Sequence, residues 1–182
     1  MTLRTLLDRR AVAALEFVMV APFFIMLTFG IVEFAAAVRM QMGVNQAARV
    51  VADLISQQTD VTTAELNDFY KAGQDCYNFN VGTLSISATS VTFSAGQQTG
   101  SVAWTAHTVS SSYAAAPANV TTISSGLGAA FNGTPIGGDS TIVVQTSSTF
   151  NVPIAFGPIA KTYTLTSTAY ARPRLGYVIS LN

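Results

Sequence analysis

Ionisable side chains are scarce in this chain. Of its 182 residues only 10% are charged, nine basic against nine acidic, and the formal net charge is zero. No basic patch of the size needed to neutralise a phosphate backbone can be assembled, which excludes a nucleic-acid binder. There is one cysteine, Cys76, so neither an intrachain disulfide framework nor a cysteine-based metal site is available. The single histidine, His107, leaves little for proton-transfer chemistry. No Walker loop, G-x-S-x-G, HExxH or CxxC occurs, and the carboxylates beyond the N-terminal segment are scattered. The expectation is a protein without catalytic residues, cofactor or metal.

Long apolar runs are also absent after residue 38, and the one before it dominates the chain. Residues 11–38 read AVAALEFVMVAPFFIMLTFGIVEFAAAV, interrupted only by Glu16 and Glu33. A membrane span needs about 20 predominantly apolar residues. The uninterrupted core, Phe17 to Val32, is slightly short, and its flanks make up the length. Arg4, Arg9 and Arg10 precede the run against one acid, Asp8. The positive-inside rule keeps these residues in the cytoplasm and exports the C-terminal body. A single pass is expected.

Three readings of this segment compete. A secretory signal peptide would be cut near Ala35-Ala36-Ala37. A plain anchor would leave Glu16 at the cytoplasmic interface. A pilin-type leader would lose its short basic piece while the apolar helix survived to form the core of a filament. Glu16 favours the third. A carboxylate within an apolar helix costs about 2.5–3.5 kcal/mol at the bilayer centre, so it calls for a partner. Cleavage between Ala11 and Val12 would create an α-amino group at Val12, one helical turn from Glu16.

The pattern RRAVAALEFVMVAPFFIMLTFGIVEF resembles the N-terminus of the TadE-like family, minor pseudopilins of tight-adherence (Tad, Flp-type) pili. Arg9, Arg10, Glu16, Phe17, Pro22, Gly30, Ile31, Glu33 and Phe34 carry the likeness, with a less specific echo in Arg172 to Leu175. Ala11 stands where the family has glycine. The resemblance implies leader processing at Ala11–Val12 by a prepilin peptidase. It implies subunit contacts through Glu16, Phe17, Pro22, Gly30 and Glu33, and partnership with other pilus subunits and minor pseudopilins. It also implies a bacterial inner-membrane protein with an extracytoplasmic body that enters a surface pilus used in adhesion. The competing function is a secreted or single-pass membrane-anchored binding domain unrelated to pili.

Each of these residues also has a plainer use. Glu16 can be an interfacial helix residue, and Glu33 can mark the outer boundary of the span. Pro22 loosens a helix by removing a backbone donor. Gly30 permits close packing but has no GxxxG partner.

Beyond Val38 the helix is expected to continue to about Gln57. Val44, Ala47, Ala48, Val51, Leu54 and Ile55 form a stripe that covers the chain's own sheet. Thr62-Thr63-Ala64-Glu65 fits a capping box for a short helix, Thr63 to Ala72, stopped by Gly73, with Cys76 in a loop. Alternation then predicts strands. Leu84, Ile86 and Ala88 lead into Val91 and Phe93. Val102, Trp104 and Ala106 share one face, with His107 on the other beside Thr105. Residues 113–138 read as a loop region with a short helix near Ile123 to Phe131. Strands return at 141–152 and 162–172, joined through Pro153 to Pro158, and the tail from Leu175 to Leu181 packs back on the sheet. One face of the sheet is expected to be solvated. The chain thus divides into a cytoplasmic basic leader (1–11), a long helix with the span at about 12–38 (12–58), and an extracytoplasmic α+β domain (59–182). The fold class is α+β, a long N-terminal pilin-like transmembrane helix packed on an antiparallel β-sheet of about four strands.

Overall fold

The computed structural model describes residues 3–77 (side chains from Ala11 onward), 84–93, 100–108, 138–151, 162–175 and 178–182. The expected turn at 97–100 lies outside them apart from its last residue. The loop region at 113–138 (except Gly138) and the connection at 153–158 lie wholly outside them.

Helix α1 runs from Leu3 to Ser56 with Pro22 inside it. At 1.5 Å per residue its 54 residues extend roughly 80 Å. The helix is continuous through the Arg10–Ala11 junction, because no glycine or proline interrupts the first 21 residues. Its C-terminal third carries the core stripe. Met40, Val44, Ala47, Ala48, Val51 and Ile55 are buried, at the three- and four-residue intervals of one helical face. Leu54, expected among them, is half-buried, while Met40 and Ala52 join the core.

The four-stranded sheet is antiparallel throughout, in the spatial order Gly100–His107, Ser85–Phe93, Ser140–Asn151, Thr162–Ala171. The strands are β2 (Ser85–Phe93), β3 (Gly100–His107), β4 (Ser140–Asn151) and β5 (Thr162–Ala171). The face toward α1 carries Ile86, Ala88, Ile142, Val144, Phe150 and Ala169. Strand β5 runs alongside the helix in the same direction: Gln41 donates to the carbonyl of Thr166, and farther up Arg174 pairs with Asp53.

Helix α2, Thr63–Tyr77, packs beside α1 and adds Leu66, Tyr70 and Tyr77 to this core. Its capping box forms as expected: Thr62 N–H donates to Glu65 Oε2 at 2.8 Å and Glu65 N–H donates to Thr62 Oγ1 at 3.3 Å. Its end is not where the sequence suggested. Gly73 is a buried interior residue whose place is taken up by α1; a Cβ there would lie 2.6 Å from Val51 Cγ2 and 3.2 Å from Ile86 Cδ1. The glycine serves close helix–helix approach, so the helix passes through it and Cys76 sits in its last turn rather than in a loop.

Two further expectations are corrected. Ser90 pairs with Trp104 but Val91 pairs with Val102, leaving Ala103 as an extra residue in β3. This bulge turns Val102 to the face opposite Trp104 and Ala106. The face of the sheet away from α1 is not solvated at its centre either. Ser87, Thr89, Val91, Thr141 and Val143 are all buried there, so β2 and β4 are closed on both sides. Finally, the tail does return. Strand β6 (Ser180–Leu181) pairs in parallel with β1 (Asp60–Val61), Ile179 is buried, and Trp104 Nε1 donates to its carbonyl at 2.7 Å.

Candidate assembly and membrane surface

Below Met40, helix α1 changes character. Side chains from Ala11 to Val32 are exposed, with Ala21 alone half-buried. Val12, Phe17, Val18, Phe23, Phe24, Leu27 and Ile31 all show more than half their surface, and Phe23 reaches 73%. A helix that is apolar on every side belongs in an apolar surrounding, whether protein or lipid. Such a continuous apolar surface far exceeds what an isolated globular protein leaves bare. Among the described residues this is the one helix long and apolar enough to cross a membrane. The hydroxyl within the run is satisfied internally: Thr28 Oγ1 donates to the carbonyl of Phe24 at 2.8 Å.

The residues singled out in the sequence fall into two groups on this helix. Ala11, Val12, Glu16, Phe17 and Pro22 are exposed on the free part. Glu16 lies one turn above Val12. Gly30 and Glu33 stand where the free helix meets the body. Beyond the helix's own adjacent backbone, no atom lies within 4 Å of the position a Cβ would take at Gly30. The missing side chain opens a notch of about 480 Å³ bounded by Phe23, Met26, Leu27, Ile31 and Phe34. Glu33 is half-buried and continues the core stripe downward through Ala37 and Met40. With Gly30, Phe34 and Ala37 it lines a second groove of about 430 Å³, whose other wall is Phe150 of β4 and Tyr163, Thr164 and Leu165 of β5.

Sequence reasoning located Gly30 and Glu33 but missed the strand residues facing them. Phe34 and Ala37 were legible as the neighbours one turn along. Nothing in sequence spacing brings Phe150 and Tyr163 to residue 30; only the pairing of β4 with β5 beside α1 does that.

At the other end of the body, Arg172 pairs with Asp139 at 3.0 Å, and Arg174 pairs with Asp53 while its N–H donates to the carbonyl of Ser56. Both guanidinium groups are more than half exposed, as expected of a solvated strand end; Arg172 ties the exit of β5 to the start of β4, and Arg174 ties it to the top of α1. His107 is exposed opposite Ser87, on the same face as Thr105. Tyr70 is buried between α2 and the sheet. Burial pushes its phenol well above the usual range, and its hydroxyl donates to the carbonyl of Ala106 at 3.0 Å. No three His, Cys, Asp or Glu side chains among the described residues come together as a metal site.

Compared with known proteins, residues 11–53 match the family model described as TadE-like protein. The match covers the exposed apolar part of α1 and nearly all of its core-facing part, ending three residues before the helix does. No curated protein and no solved structure gives a match. The matched segment suggests a Tad pilus-associated protein, with an N-terminal helix suited to a membrane.

Proposed function

From a TadE-like N-terminal segment, we propose that this chain is a minor pseudopilin of a tight-adherence pilus, working structurally through helix-mediated subunit assembly. The observation that carries the reading is the free part of α1, apolar on all sides and exposed from Ala11 to Val32, in the segment that matches the family. Before assembly it spans the inner membrane with its N-terminus in the cytoplasm. The body is displayed outside. On entering the pilus the same surface exchanges lipid for neighbouring helices, so no apolar area is returned to water.

Ala11, Val12 and Glu16 act together in this scheme. A prepilin peptidase cuts between Ala11 and Val12, and the new ammonium group at Val12 neutralises a Glu16 carboxylate within or between subunits. Phe17, Pro22, Gly30 and Glu33 provide contacts to neighbouring subunits along the helix. The pairing of charges offsets the insertion cost that an isolated Glu16 would bear.

The decisive test is Glu16→Ala in the native host. The expected result is loss of surface pili with the protein still present in the membrane fraction. Unchanged piliation would remove Glu16 from assembly. The intact mass of the protein recovered from native membranes reads the processing step. A start at Val12 supports it, and a start just after Ala37 would mean a signal peptide and end the filament-core reading in favour of a secreted binding domain.

A further inference from the structure

The body meets the helix at a definite height, and that height coincides with the edge of a bilayer. A hydrocarbon core about 30 Å thick is crossed by about 20 helical residues. Counted from Ala11, that length ends at Gly30, the residue shared by the notch on the free helix and the groove beneath the sheet. The groove is therefore continuous with the lipid-facing surface of α1. Its walls are mostly apolar, with Phe34, Phe150 and Leu165, and include three residues with polar tips, Glu33, Tyr163 and Thr164. Aromatic rings with a polar tip at the level of the headgroups are the usual furniture of a membrane interface.

The sequence next to the groove points the same way. Asn151 and Thr162, the facing ends of β4 and β5, are joined by residues 152–161, which read VPIAFGPIAK, nine apolar residues and then one lysine. Such a composition is out of keeping with the Ser/Thr-rich strands on either side of it.

We infer that the groove between α1 and the β4–β5 end is a second membrane contact, occupied by acyl chains of the phospholipid leaflet on the body's side. The anchor then does not hold the body on a free stalk. The lower end of the sheet rests at the boundary between acyl chains and headgroups, where Phe150 and Tyr163, partners in the ladder, face Phe34 one turn above Gly30. This sets the body's tilt and rotation before assembly. The inference rests on the proposed membrane insertion of α1, and its test separates the two.

The experiment uses the full chain with Cys76→Ser, reconstituted in phosphatidylcholine vesicles, with one spin label at a time. Labels replace Phe24 within the span, Thr164 at the groove, and Thr168, four residues and about 13 Å farther up β5. Thr164 and Thr168 are both exposed, so neither label disturbs the core. Accessibility to oxygen, which partitions into lipid, is compared with accessibility to a water-soluble nickel complex. The expected result is a label at 24 deep in lipid, a label at 164 with severalfold lower nickel accessibility than that at 168, and a label at 168 in water. If 24 is in lipid and 164 is as accessible to nickel as 168, the groove faces water and the inference fails while the anchor stands. If 24 is in water, both fail. Dipolar broadening at 164 between labelled copies would assign the groove to a second copy of the chain and overturn the lipid contact.

Discussion

Gly73 shows how much one residue can decide. Its missing Cβ lets α2 lie against α1 where Val51 and Ile86 meet. Val51 is β-branched and stiff in a helix, so it cannot easily rotate away. Gly73→Ala is expected to destabilise the body by about 1–3 kcal/mol, the usual cost of overpacking, read as a lowered urea midpoint at unchanged slope. Tyr70 makes a different prediction. Its phenol titrates higher folded than unfolded, because burial disfavours the phenolate. The stabilisation tied to this shift is fully present below the unfolded value of about pH 10 and is lost as pH rises above it. Denaturation midpoints should hold up to pH 9 and fall above pH 10. In Tyr70→Phe the alkaline fall should be shallower, after a loss of about 1 kcal/mol at neutral pH for the hydrogen bond to Ala106.

At the level of elements, α1 behaves as two helices in one. The lower part has no protein packed around it, and the upper part is the keel of the core. Ile55, fully buried, should cost about 2–5 kcal/mol when truncated to alanine. The Arg174–Asp53 pair joins the end of β5 to the top of α1, but both partners are at least half exposed. Solvent screening limits such a pair to at most about 1 kcal/mol. Arg174→Gln should therefore leave the thermal midpoint nearly unchanged while Ile55→Ala lowers it markedly. The bulge at Ala103 belongs at this scale too. Period-two alternation places Val102 with Trp104, and one extra residue in the ladder undoes that assignment.

At the scale of the molecule, the exposed part of α1 and the body are expected to be separable. No side chain from residue 11 to residue 32 is buried, and the core stripe begins at Met40. A chain starting at Val32 should fold into the same α+β body, stay in solution without detergent, and give the circular dichroism of the full-length body. Loss of that circular dichroism even in detergent would mean that the free helix supports the fold in a way its exposure does not reveal. The full chain, by contrast, should require detergent or lipid.

The sequence by itself determined the elements whose signals are local. The apolar run and its two glutamates, the stripe from Val44 to Ile55, the capping box at Thr62–Glu65 and the alternation in the strands all depend on neighbours a few residues away. They were enough for the fold class and for the resemblance to the TadE-like family. Only the tertiary structure decided what depends on distant partners. Gly73 became a packing residue because α1 passes beside it. The outer face of β2 and β4, polar enough to suggest solvent, is nevertheless buried. Glu33 and Gly30 gained Phe150 and Tyr163 as neighbours because β4 and β5 pair beside α1, more than 100 residues away in the chain. Chain-distant contacts of this kind leave no periodic trace in either segment, since the pairing register is set by the packing of both strands against the helix and by neither strand alone.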